Sequence, residues 1–215
     1  MSTFFDEMKK SFVDVKIVDN KIDSVDFLDA SESLVKLLDL TGSSVFAIVQ
    51  KDMTSNISDI RKTLHLQGSN TLQDIILSEA ICYPDDRFAI PPLLRLSREL
   101  QFISQSIRET VENPGDELAS TFTRTYDKTL SQYHSTLIKS DFKLTLKSCP
   151  KRKEFYEKLG ADQEKVNKQL SEWLVALEHI VKIILDFFAK FITIMKEFEI
   201  AHVSSLISEL NINGP

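Results

Sequence analysis

A chain of 215 residues can bury one sizeable core and is too short for more than two small domains. Its net charge of −6 gives no basic footprint, which excludes a general nucleic-acid binder. Five glycines and six prolines are too little punctuation for an all-β fold, and the two cysteines, Cys82 and Cys149, have no metal-like spacing and read as reduced thiols.

In chain order, the N-terminus MSTFFDEMKK is acidic early and lacks an apolar core, so no signal peptide is expected. Helical periodicity dominates the rest of the chain. It predicts helices over 4–18, 25–39, 44–65, 71–82, 88–112, 117–147, 151–159, 163–198 and 201–210. Ser43 or Ser44, Asn70 and Asp162 stand where caps are needed, and Pro91 and Pro92 fall in a first helical turn, where proline is tolerated. Breaks are expected at Thr41-Gly42, Gly68, Tyr83-Pro84-Asp85, Asn113-Pro114-Gly115, Cys149-Pro150 and Gly160, with no strand pair or hairpin turn. The greasiest stretch, IVKIILDFFAKFITIM, is interrupted by Lys182, Asp186 and Lys190, which lie four apart in one polar stripe. That pattern describes a helix buried on most of its circumference, not a membrane span. The expectation is an all-α fold, one domain over residues 1–215 with its helices in layers.

Signatures of chemistry are missing. No glycine-rich phosphate loop follows a strand, and no G-x-S-x-G elbow offers a nucleophile. The four histidines, His65, His134, His179 and His202, form no ligand pair, so neither a metal nor a cofactor is expected. The sequence offers no catalytic residue and no reaction, and the chain reads as a non-enzyme.

Three polar features sit in apolar surroundings. In DMTSNISDIRK, Asp52, Asn56 and Asp59 lie along one edge of the stripe formed by Phe46, Val49, Met53, Ile57, Ile60 and Leu64. In LLRLSRELQFI, Arg95 shares a helix face with Phe88 and Phe102, where an ion pair with Glu99 or a snorkelling side chain would satisfy it. In LSQYHSTLI, His134 lies between Leu130, Leu137 and Ile138 on a helix face, the place of a satisfied core histidine or of a ligand contact.

Taken together, these stretches resemble the glycolipid transfer protein family, small all-helical carriers of single sphingolipids. The resemblance runs through VDFLDASESLVKLLDLTGSSVFAIVQKDMTSNISDIRKT (25–63), TLQDIILSEA, LLRLSRELQFI, TYDKTLSQYHSTL and KSCPKRKEFYEKL. It implies a two-layer sandwich of about eight or nine helices enclosing a pocket for lipid chains. It also implies a polar patch for the head: Asp52 accepting from the sphingoid amide N–H, His134 donating to the amide carbonyl, Asn56 binding sugar hydroxyls. An amide held on both sides separates a sphingolipid from an ester-linked glycerolipid.

Two positions depart from the family pattern. The glycolipid branch has a tryptophan where this chain has Arg95 and a lysine where it has Asp59. The ceramide-1-phosphate branch has an arginine at the Arg95 position, but adds an arginine at Pro91 and a lysine at Asn56. Asp59, Lys62 and Arg98 are further headgroup candidates. The charge of the set favours a neutral sugar head over a phosphate, with ceramide-1-phosphate as the alternative. Phe46, Phe102, Leu137, Phe142, Ile184 and Phe188 are the expected lining for the lipid chains. The basic segment KLTLKSCPKRK suits transient contact with anionic membrane surfaces, while the family's docking tryptophan is Thr136 here. The expected protein is a cytoplasmic monomer, transiently membrane-associated, whose partner is a glycosylceramide or ceramide-1-phosphate. A lipid sensor acting through a protein partner, and a helical interaction protein that has lost the lipid, are the other readings.

Overall fold

The computed structural model describes the backbone of all residues except 41–43, 68–69, 84–87 and 213–215, and side chains except those and 40, 44–45, 65–67 and 198–212. The cap expected at Ser43 or Ser44 therefore lies outside the described side chains. Nine helices are assigned among the described residues: α1 (Phe4–Glu7), α2 (Ser24–Leu40), α3 (Ser44–Gln67), α4 (Leu72–Cys82), α5 (Ile90–Glu112), α6 (Leu118–Lys128), α7 (Thr136–Leu146), α8 (Arg152–Leu159) and α9 (Gln163–Ile212). Two 3₁₀ turns, Phe12–Asp14 and Leu130–Tyr133, and a two-stranded ribbon of β1 (Ile17–Val18) and β2 (Lys21–Ile22) complete it. The all-α expectation holds.

Helix α5 is the central element, packing against α3, α6 and α9, with α2 laid on α3. Its inner face is a run of fully buried residues, Leu93, Leu96, Leu100, Phe102, Ile103 and Ile107. The recurrence of apolar residues three and four apart makes one face of each helix apolar, and burying those faces against each other drives the layering. Among the described residues no helix is long and apolar enough to cross a membrane.

Pro91 and Pro92 fall in the first turn of α5 as expected, but the N-cap Ala89 has no side chain with which to cap. The buried Glu79 of α4 does it instead, its Oε2 accepting from Ala89 N–H at 2.5 Å and its Oε1 from Ile90 N–H at 3.3 Å. A carboxylate at a helix N-terminus also meets the positive end of the helix dipole. Thr71, one residue past the expected cap, accepts from Asp74 N–H at 3.2 Å to start α4. Asp162 caps α9 as expected, accepting from Lys165 N–H at 3.1 Å.

Four boundaries differ from the sequence expectation. The helix predicted over 4–18 ends at Glu7, because Phe12 leaves it to bury against Trp173 of α9, ring centroids 5.6 Å apart. The predicted absence of a hairpin is wrong: Asp19 and Asn20, with φ of 53° and 59°, turn β1 back onto β2. Aspartate and asparagine are among the few residues that accept two successive positive φ values. The helix predicted over 117–147 is two helices broken at Thr129–Ser135. That stretch is rich in Ser and Thr, which compete for backbone hydrogen bonds, and Ser135 caps α7 by accepting from Ile138 N–H at 3.4 Å. The last two predicted helices are one, Gln163–Ile212.

Candidate functional site

The polar edge of α3 faces α5 and the 129–135 break. Asp52 is exposed, Asn56 is buried at 1 % exposure, and Asp59 is half-buried, so the row enters the protein at its middle member. Arg95 of α5 is exposed, and its Nε donates to Asn56 Oδ1 at 3.1 Å. Of the two ways expected to satisfy Arg95, no ion pair with Glu99 is found among the described residues, while the exposed guanidinium reaches outward and takes the neutral amide of Asn56 as its partner.

Glu99 is the residue that sequence reasoning undervalued. It lies one turn beyond Arg95, only 5 % exposed, beneath Asp52 and Asn56. Asn56 Nδ2 donates to Glu99 Oε2 at 3.4 Å, and Glu99 shares a hydrogen bond with Asp52. Burial, then the adjacent Asp52 carboxylate, pushes the Glu99 carboxyl up to about 10. Glu99 is therefore protonated at neutral pH, and its O–H is the donor in the hydrogen bond it shares with Asp52. The signal available in sequence was its place on the apolar side of α5, at which an ionised glutamate is costly.

His134 is extended, with φ −102° and ψ 144°, and not helical as expected. Its Nδ1 is 2.8 Å from the Tyr126 hydroxyl, and its ring lies 5.8 Å from that of Phe142. Burial lowers the pKa of the imidazole, against an opposing pull from Asp52. The ring is neutral at pH 7, and with the tyrosine O–H donating to Nδ1 the ring proton is assigned to Nε2. Asp52 and His134 thus stand close enough to feel each other, as an acceptor and a donor.

The remaining candidates already have partners. Lys62 Nζ pairs with Asp59 Oδ1 at 2.9 Å on the surface. The Arg98 guanidinium lies 3.6 Å over the Tyr133 ring. A cleft of 530 Å³, lined by Asp59, Lys62, Thr63, Phe88, Pro91, Pro92 and Arg95, opens beside Arg95. Its size is that of a small-ligand site.

Five of the six expected chain-lining residues, Phe46, Phe102, Phe142, Ile184 and Phe188, are buried in the main core. Phe102 is edge-on to Phe122, Tyr126 and Phe142, and Tyr126 stacks on Phe142 at 4.6 Å, so rings fill this space. Leu137 is a correction: at 74 % exposure it lines nothing. The break before α7 rotates its first turn outward, and Ile138 at 49 % and Tyr133 at 47 % are exposed with it.

This geometry has counterparts. The family model described as "Glycolipid transfer protein (GLTP)" matches residues 22–161. A glycolipid transfer protein of Aureobasidium melanogenum is 43 % identical over 189 residues, covering 87 % of this chain and 93 % of its own. The crystal structure of HET-C2, a fungal glycolipid transfer protein, superposes with a TM-score of 0.82 at 38 % identity, covering 87 % of this chain and 97 % of that one. A structure showing how FAPP2 selects simple glycosphingolipids using the same fold gives 0.79 at 29 % identity, covering 87 % and 95 %. On the match over residues 22–161 and the 43 % identity, this chain belongs to the glycolipid transfer protein family.

Proposed function

We propose that this protein carries single glycosphingolipids between membranes, without covalent chemistry, and that Asp52, Asn56, Arg95 and His134 hold the head. The observation that carries this reading is the pairing of exposed Asp52 with a neutral His134 whose Nδ1 is already taken by Tyr126. One offers an ionised acceptor and the other an N–H donor, the complement of a ceramide amide. An ester lacks the N–H, so Asp52 would be left without its partner. Directly behind His134 lie Phe142 and Tyr126, so the lipid chains would enter the aromatic cluster there. Those rings must part to admit them. Each buried methylene contributes ~0.8 kcal/mol, so a chain of about eighteen carbons holds to a bilayer by on the order of 10 kcal/mol. A comparable apolar interior must open to it.

A neutral head fits better than a phosphate. Asp59 and Lys62 neutralise each other, Arg95 balances Asp52, and Glu99 carries no charge at neutral pH. The Arg98 guanidinium is held over the Tyr133 ring, 3.6 Å from its centroid. The cleft beside Arg95 supplies hydrogen-bonding side chains together with the apolar faces of Phe88 and Pro91, a mixture suited to sugar hydroxyls and C–H faces.

For docking, the exposed Tyr133 before α7 and Leu137, Ile138 and Leu144 on it stand beside Lys139, Lys143 (paired with Asp127 at 2.6 Å) and the helix-capping Lys147, close to His134. Apolar side chains interleaved with lysines suit the interface of an anionic membrane. Residues 1–215 act as one domain in this reading, since α1 and the Phe12 turn pack on α9. Free Cys82 and Cys149 are compatible with work in the cytoplasm.

The test is transfer of labelled lipid between phosphatidylcholine vesicles, comparing galactosylceramide, ceramide-1-phosphate and a diacylglycerol glycolipid. Galactosylceramide is expected to move fastest. Faster ceramide-1-phosphate would make Arg95 a phosphate ligand, and equal movement of the ester lipid would sink the amide clamp.

A further inference from the structure

We propose that Glu99 is a positioning residue of the headgroup site, orienting Asp52 and Asn56 from beneath and so setting the preference for an amide-linked lipid. The inference deepens the headgroup reading above and rests on it. Four side chains form one directed series. Arg95 Nε donates to Asn56 Oδ1 at 3.1 Å, Asn56 Nδ2 donates to Glu99 Oε2 at 3.4 Å, and the Glu99 O–H donates to Asp52. A cation stands at one end and an anion at the other, joined through two uncharged groups. Each donor in the series has one acceptor, so the amide of Asn56 cannot flip without losing both its bonds, and one face of Asp52 is fixed. The outer face of Asp52 remains for a ligand, because Asp52 is exposed while Glu99 is only 5 % exposed.

A glutamate serves here only while it keeps its proton. If ionised, it would set two carboxylates side by side in a buried place and lose the donor that Asp52 receives. The groups facing it are Asp52 and Asn56 of α3 and Arg95 of its own helix, with His134 beyond Asp52. Tyr126 of α6 is tied to His134. On α9, Glu178 is held by Arg108 and Lys182 by Asp186. None of these supplies a buried cation that would ionise Glu99. Glutamine has the same shape and the same pattern, with Nε2 donating to Asp52 and Oε1 accepting from Asn56. It has no proton to lose.

The experiment compares wild type, Glu99→Gln and Glu99→Ala in transfer of labelled galactosylceramide and a labelled diacylglycerol glycolipid between phosphatidylcholine vesicles. The readout is the ratio of the two rates on the same protein, which a uniform loss of folded protein does not move. At pH 7 the Gln variant should keep the wild-type ratio within about twofold, and the Ala variant should lose tenfold or more of it. Between pH 7 and 9.5 the wild-type ratio should decline as Glu99 begins to ionise, while that of Glu99→Gln stays level. An unchanged ratio in Glu99→Ala overturns the proposal. If that variant does not fold, parallel pH profiles for wild type and Glu99→Gln overturn it equally. Wild-type protein that moves neither lipid overturns the carrier reading, and the proposal with it.

Discussion

Asp52 and His134 carry the amide clamp in the proposed site, and each makes a different prediction. Replacing Asp52 by Asn keeps an acceptor and a similar shape but removes the charge that strengthens the bond. Galactosylceramide transfer should fall about tenfold, the size of one charge-assisted contact, with the melting temperature nearly unchanged because the side chain is exposed. His134 is held below its ordinary pKa by burial. Folding then favours the neutral ring, so the unfolded chain binds the proton first as pH falls. The stability contributed by neutral His134 is complete above the free-histidine value of about 6.5 and is lost below it. Thermal melts from pH 8 to 5 should show that decline, and a His134→Asn variant should lack it. Glu99 has the opposite slope: its pKa is raised, so its contribution is whole below the free glutamate range and falls as pH rises towards about 10. Glu99→Gln should therefore gain on wild type steadily through the neutral range.

Among the elements, α5 carries Arg95 and Glu99 of the proposed site and α7 the proposed docking face, and the placement of both depends on their ends. The start of α5 hangs on Glu79, whose two oxygens take the Ala89 and Ile90 N–H groups. Glu79→Ala leaves both donors buried or half-buried without that partner. Each such loss costs roughly 1–3 kcal/mol, so urea unfolding should show a drop of at least about 2 kcal/mol. Arg95 and Glu99 ride on the next turns, and headgroup selectivity should weaken with it. Helix α7 is the proposed docking element, with Leu137 and Ile138 at its exposed first turn. Charging both, as Leu137→Asp with Ile138→Asp, should reduce co-sedimentation with vesicles containing phosphatidylserine tenfold or more. Affinity for short-chain galactosylceramide in solution should stay unchanged.

For the molecule as a unit, a core filled by aromatic rings must reorganise to hold lipid chains, and binding to the folded state alone stabilises it. At a lipid concentration one hundred times the dissociation constant, short-chain galactosylceramide should raise stability by about 2.7 kcal/mol, seen as a rise in melting temperature that free galactose does not produce. Much of this was legible in the sequence. The apolar period of α3, α5 and α9, the proline pair that opens α5, and the Asp52–Asn56 edge are local properties, written within a few turns of chain. Local reasoning ran too far where tertiary contacts outweigh propensity. Phe12 is drawn from its predicted helix by Trp173, and Leu137 turns outward because the chain breaks before it. Residue order was enough for an all-helical fold, for the residue types of the proposed headgroup site and for the family, since period, caps and motif spacing survive without a partner. It took the packed chain to reveal that Glu99 lies buried beneath Asp52, that Tyr126 fixes the His134 ring and that Lys62 and Arg98 are occupied. Protonation and pairing depend on desolvation by distant segments, and that distance is set by the fold, not by the spacing along the chain.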